Sequence, residues 1–195
     1  AVIKAFKYAF PKTSKNPVSL VIKSINSDRH LKENKAIKKL IDKDSRIMHI
    51  QKVLPHSENA ALMNCCDCYV SLHRSEGFGL TIAEAMLAGK PVITTAYSGN
   101  MDFTTDDTSL LVDYKLIPVQ QGDYPYAKDE VWAEPNIEQA GDYMRKLVKD
   151  RNFSTLFAKK GQELIRTSFS IKSMGERYKK RLDLILEEKA PSQKK

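Results

Sequence analysis

Two carboxylates and two glycines crowd one short run, HRSEGFGLTIAE, in which Glu76 and Glu84 are separated by seven residues and Gly77 and Gly79 lie between them. Glycine lets backbone N–H groups come close to a ligand. A helix beginning near Leu80 would aim its positive end at the same point, which favours a phosphate or a developing oxyanion. The arrangement suits a diphosphate. It is no dinucleotide fingerprint, because Ile82 stands where a third glycine belongs, and Gly89-Lys90-Pro91 lacks the Ser or Thr that follows a P-loop lysine. Each glutamate also has a plain structural use. Thr81-x-x-Glu84 fits a capping box, and Glu76 is placed to pair with Arg74 as a solvated loop charge.

These residues meet at a ligand only if the strand before them belongs to a parallel sheet, since open α/β sheets bind ligands beyond the carboxyl ends of their strands. The surrounding sequence supplies such a sheet. Ala1–Phe10 has helical spacing and is ended by Pro11; Val18–Ser24 is short, apolar and β-branched. A helix with Leu31, Ile37, Leu40 and Ile41 on one face follows, then a strand around Arg46–Ile50, a short helix opened by Ser57 and reaching Cys66, and a strand Cys68–Leu72. HRSEGFGL leads into a helix that stops at Gly89. Pro91–Ala96 and Leu110–Tyr114 complete five strands. Ile117–Pro135, rich in Pro, Gln and Tyr, reads as one long loop. From Ile137 to Glu188 the periodicity is helical, with Met174, Tyr178, Leu182 and Ile185 on one stripe. The expected fold is α/β, a mainly parallel Rossmann-like sheet with helices on both faces and a helical C-terminal segment, over residues 1–188, followed by a disordered tail at 189–195.

Composition narrows the class. A chain of 195 residues with 42% hydrophobic and 29% charged residues can build one core. Cys65, Cys66 and Cys68 are an odd number crowded too closely for a disulfide framework, which points to free thiols and a cytoplasmic, reducing setting. No apolar run reaches the roughly 20 residues of a bilayer span, and the opening AVIKAFKYAF mixes apolar and basic residues unlike a signal peptide. The net charge of +8 admits an anionic partner without choosing one.

The run Ser75-Glu76-Gly77-Phe78-Gly79-Leu80, with Glu84-Ala85-Met86, Gly89-Lys90-Pro91-Val92-Ile93 and Ser98-Gly99-Asn100, resembles the sugar-donor domain of retaining glycosyltransferases of the GT-B fold, the family-four or group 1 type, which carry a Glu-x7-Glu motif. LVIKS, LLVDY, Trp132-Ala133-Glu134-Pro135 and the helical tail extend the likeness over most of the chain. The resemblance implies that Glu84 accepts hydrogen bonds from the ribose hydroxyls of a nucleotide-diphosphate sugar, sound chemistry for a carboxylate facing a vicinal diol. It implies that Glu76 sits by the sugar and stabilises positive charge growing at the anomeric carbon, and that Phe78, Gly79, Leu80 and Thr81 contact sugar and diphosphate. The resemblance implies that His73 and Arg74, which flank the loop, line the cleft, the alternative for His73 being a structural histidine at a strand end, and that the turn around Val53 and Leu54 seats the base. Lys23 is either a phosphate- or acceptor-side cation or a solvated surface lysine. Ser98-Gly99-Asn100 stands where the family more often has a Gly-Gly pair.

The likeness is to the second of the two domains such enzymes need. The expectation is therefore a donor half, lacking a first strand, its basic loop and the acceptor domain, and inactive alone. Its partners would be the nucleotide sugar, a glycan or lipid-linked acceptor, and an anionic membrane surface met peripherally. No metal or other cofactor is expected, since helix N-terminus, backbone amides and basic side chains take the diphosphate charge. Two other classes compete: a non-catalytic nucleotide-sugar- or partner-binding module, and a nucleic-acid binder, which the +8 charge alone favours while the basic runs lack interleaved aromatics. Tyr114, Tyr124, Tyr126 and Trp132 are either a sugar-stacking platform or packing for the long loop.

Overall fold

Strand and helix alternate along the chain, and the apolar strands pair in parallel. The computed structural model describes residues 1–26, 29, 31–41, 43–125 and 127–189. The elements run α1 (Val2–Ala9), β1 (Leu20–Ser24), α2 (Leu31–Ile41), β2 (Ile47–Gln51), α3 (His56–Cys65), β3 (Tyr69–Ser71), α4 (Leu80–Leu87), β4 (Val92–Thr95) and β5 (Leu110–Val112). They continue through β6 (Tyr114–Pro118), β7 (Val131–Pro135), α5 (Ile137–Lys149), α6 (Arg151–Ser168) and α7 (Ile171–Lys189). β1 pairs with β2, and β4 lies between β3 and β5, all in parallel; β6 and β7 form an antiparallel hairpin. The fold is α/β and Rossmann-like.

The period-2 alternation of the strands divides the apolar residues between two clusters, one on each face. Ile93, Leu72 and Val112 join Ile3, Phe6 and Phe10 of α1 and Met144 and Leu147 of α5. Val92 points the other way, to Ile82, Ala85 and Met86 of α4, Ile165 of α6, and Phe103, with Tyr69 packed against them. Helices therefore cover both faces. β4, all four of its residues buried, serves both clusters, Ile93 in one and Val92 in the other. Polar side chains fix the helix starts: Asn136 accepts from Glu138 N and Gln139 N at the head of α5, and Asp150 from Phe153 N at the head of α6. The exit from α1 is tied to the start of β2 by Arg46, which donates to both carboxylate oxygens of buried Asp44 at 2.9 and 2.8 Å and to Phe10 O at 3.0 Å. That bidentate pair holds the Asp44 carboxyl down to about 2, chiefly through the Arg46 hydrogen bond.

Four expectations are corrected. The segment 117–135 is not all loop, because β6 and β7 pair across it from Tyr114↔Pro135 to Pro118↔Val131, so the described residues hold seven strands where five were expected. The hairpin escaped the pattern because β6 is mostly exposed, which removes the apolar alternation. α3 begins at His56 behind Pro55, with no side-chain cap, so Ser57 is an interior residue. α7 runs through Lys189, one residue into the expected tail; residues 190–195 lie outside the described residues. The stripe on α7 is legible but uncovered, with Tyr178 and Leu182 exposed. No helix among the described residues is long and apolar enough to cross a membrane.

Candidate functional site

Beyond the carboxyl ends of β3 and β4 two loops are stitched together. Thr95 Oγ1 donates to His73 O at 2.8 Å, Glu76 N to Ser98 Oγ at 2.8 Å, and Gly99 N to Glu76 O at 3.0 Å. His73 Nε2 lies 3.0 Å from Tyr97 O and 3.1 Å from Asn100 Oδ1. Both are acceptors there, since Asn100 Nδ2 donates to Thr95 O at 3.0 Å, so the ring proton sits on Nε2 and Nδ1 accepts from Ser71 Oγ at 3.1 Å. Five bonds thus lock the glutamate loop to the end of β4 and the loop that follows it.

The glycines divide by role. A Cβ on Gly99 would lie 1.9 Å from Gly77 O, so only glycine permits this loop crossing. Gly79 caps α4 in the left-handed region, φ 92°, packed on Ile82, Asn100 and Phe103. Gly77 meets nothing within 4 Å and faces open space, as a residue offering its backbone to a ligand would. Ser98 adopts φ 69° and ψ −152°, a conformation that suits glycine, and holds it with its hydroxyl, which donates to Tyr97 O at 2.7 Å. That accounts for serine where glycine is commoner.

The plain structural uses of the two glutamates do not occur. Thr81 is the second residue of α4 and not its cap; it accepts from the Tyr69 hydroxyl at 2.9 Å, and no capping box forms. Glu84, exposed, lies one turn along the same helix. Arg74 pairs with Glu134 at 2.5 Å and stacks over Trp132 at 4.5 Å, leaving half-buried Glu76 to accept from Gly77 N at 3.1 Å. Both glutamates lie close enough to Tyr69 for their charge to add to the effect of burial, which raises that phenol above its usual range. Phe78 is exposed, its ring 5.0 Å from that of buried Phe103, and Leu80 is exposed at the mouth of the helix.

Other expected residues fall elsewhere. Asn100 is fully buried with its amide engaged, Nδ2 donating to Thr95 O at 3.0 Å and to Thr104 Oγ1 at 3.2 Å, so its side chain holds the loop. Lys23, half-buried, and Val53, exposed, stand toward the carboxyl ends of β1 and β2, on the other parallel sheet; Leu54 is buried and its carbonyl accepts from Asn59 at 3.1 Å. Among the described residues the aromatics form no platform: the rings of Tyr97 and Tyr114 meet tilted at 4.9 Å and Trp132 lies under Arg74, while Tyr126 lies outside the described residues. Tyr124 alone of them lines a concavity of about 490 Å³ at the hairpin tip, which includes none of the expected site residues.

Sequence reading missed Tyr69, and it missed a polar chain on β1 and β2 in which Ser24 Oγ meets His49 Nε2 at 2.9 Å and Gln51 Nε2 meets His49 Nδ1 at 2.9 Å. Burial, with Lys38 beside it, lowers the His49 pKa. The alternation of polar residues through IMHIQ was the available signal. The cysteines are free thiols; burial pushes Cys68 up to about 12 while Cys65 is exposed.

Residues 1–118 match the family model described as "Glycosyl transferases group 1". An alpha-1,3/1,6-mannosyltransferase, ALG2, of Dictyostelium discoideum is 24% identical over 143 residues, 73% of this chain and 29% of that protein. Anabaena Alr3699/HepE, crystallised with UDP and glucose, superposes with a TM-score of 0.65 at 18% identity, over 93% of this chain and 44% of its own. The C-terminal domain of the group 1 glycosyl transferase LpcC from Francisella tularensis gives 0.63 at 22% identity, over 87% of this chain and 78% of its own. The chain therefore spans less than half the length of the mannosyltransferase and of HepE.

Proposed function

The chain belongs to the glycosyl transferases group 1 family, and from that premise we propose that it is the nucleotide-sugar-binding part of a retaining glycosyltransferase. The observation that carries this reading is the clamped loop pair, which fixes Glu76 beside open Gly77 and sets Glu84 one turn inside α4. The diphosphate lies at the head of α4, where the backbone amides after Gly79 and the positive end of the helix face it. Glu84 accepts from the two ribose hydroxyls. Glu76 faces the sugar, so its charge matters most when the anomeric carbon turns cationic. In that step the bond from the anomeric carbon to the phosphate oxygen breaks, the nucleoside diphosphate leaves with the electron pair, and an acceptor hydroxyl bonds to the carbon as its proton passes to the departing phosphate oxygen. HepE binds UDP and glucose, which supports a nucleoside diphosphate here.

The acceptor, a glycan or a lipid-linked sugar, meets this site from a second domain within the length that the relatives have and this chain does not span. The work is done without metal, in the cytoplasm, with peripheral approach to an anionic membrane.

Titration of the chain with UDP, GDP, UDP-glucose and GDP-mannose, followed by amide NMR shifts, tests this. Saturable binding of one nucleoside diphosphate with shifts at 76–84 and 97–100 is expected. No binding at millimolar concentration, or shifts confined to the hairpin tip, would overturn it. Binding with no transfer by the chain joined to its acceptor domain would favour a non-catalytic module.

A further inference from the structure

Tyr69 opens β3, packed against the cluster of Ile82, Met86 and Val92, where an aliphatic side chain or phenylalanine would fill the space as well. Its hydroxyl has a separate use. It donates to Thr81 Oγ1 at 2.9 Å, across the gap from sheet to helix. α4 lacks any side-chain cap, its N-cap being Gly79, so this bond is the one side-chain hydrogen bond described between its first turn and the sheet. Thr81 and Glu84 are spaced i, i+3 and share a helix face, so what fixes the first fixes the second.

We propose that the Tyr69–Thr81 hydrogen bond is the positioning device of the sugar-donor site, setting the first turn of α4 so that the Glu84 carboxylate meets the ribose. The inference rests on the function proposed above and adds to it two hydroxyls acting as one unit. Neither is a catalytic residue: Tyr69 acts through Thr81 and Glu84. The phenol's proximity to Glu76 and Glu84 agrees with that placement.

The test is a set of UDP dissociation constants, measured by calorimetry on the chain and on Y69F, T81V, E84Q, Y69F/T81V and Y69F/E84Q. Tyr69→Phe keeps the ring and its packing. Y69F and T81V should each weaken UDP about three- to tenfold, the worth of one hydrogen bond, and the pair together no more than either alone. In the E84Q background Y69F should change affinity by less than about twofold, because the carboxylate it positions is gone. A merely structural tyrosine would lower affinity equally in both backgrounds, and that result, or a Y69F effect below about twofold in the parent, overturns the proposal. If E84Q itself leaves UDP binding untouched, the function proposed above fails, and hydrogen exchange judges Tyr69 instead. Y69F should speed exchange of the amides from Ala83 to Leu87 about three- to tenfold while β4 stays unchanged; unaltered exchange in α4 overturns the positioning role.

Discussion

Gly99→Ala and Gly77→Ala make a matched pair of one-methyl changes in the same two loops. At Gly99 the new Cβ falls 1.9 Å from Gly77 O and 2.6 Å from Gly77 C, both backbone atoms that no rotamer change relieves. Restoring ordinary contact separates the loops by about 1.5 Å, which breaks the Gly99 N to Glu76 O and Glu76 N to Ser98 Oγ bonds. Two hydrogen bonds at about 1 kcal/mol each, with residual strain, give about 2–4 kcal/mol. For a chain of this size each kcal/mol moves the melting temperature by about 2–4 °C, so a cost near 3 kcal/mol predicts a fall of about 6–12 °C. Gly77→Ala meets nothing within 4 Å and has no left-handed φ, so its change stays within about 0.5 kcal/mol. Thermal unfolding followed by circular dichroism reads both. If Gly99→Ala melts within 2 °C of the parent, or Gly77→Ala costs as much, the loops are not clamped as described.

Two further outcomes follow from charge and burial. The Asp44 carboxyl is held at about 2 against 3.8 unfolded, so its stabilisation is complete above pH 3.8 and is lost as pH falls toward 2; Asp44→Asn should remove the part of acid lability in that window, read as unfolding midpoint against pH. With iodoacetamide at pH 8, exposed Cys65 should alkylate while Cys68, pushed up to about 12 by burial, stays intact in the folded chain, and peptide mass spectrometry distinguishes them.

What the sequence made legible was local. The helical stripes, the apolar strands and the glycine-flanked glutamates depend on spacings of two to eight residues, and they appear in the structure within a residue or two of their expected bounds. What it hid was the pairing of distant segments. The His73–Asn100 contact spans 27 residues, and Arg74 reaches 60 residues to Glu134 instead of two to Glu76. The β6–β7 hairpin, exposed on its outer face, left no alternation to read. The capping-box spacing of Thr81 and Glu84 was real, yet the helix began earlier than that box requires, and a tyrosine twelve residues upstream claimed the threonine. Asn100 looked available because burial cannot be read from a loop sequence, where polar residues normally meet water.

Under the proposed function Glu84 holds the nucleotide and Glu76 serves the sugar. Calorimetry with a nucleoside diphosphate and its sugar conjugate, on E84Q and E76Q of the chain joined to its acceptor domain, addresses it directly, with turnover measured alongside. E84Q should weaken both ligands alike by about 1.5–3 kcal/mol, the worth of charged hydrogen bonds. E76Q should leave the free nucleotide nearly unchanged and lower turnover, because its partner is the sugar and the charge that grows there in the transition state. Equal, small effects from both substitutions on both ligands would overturn both assignments.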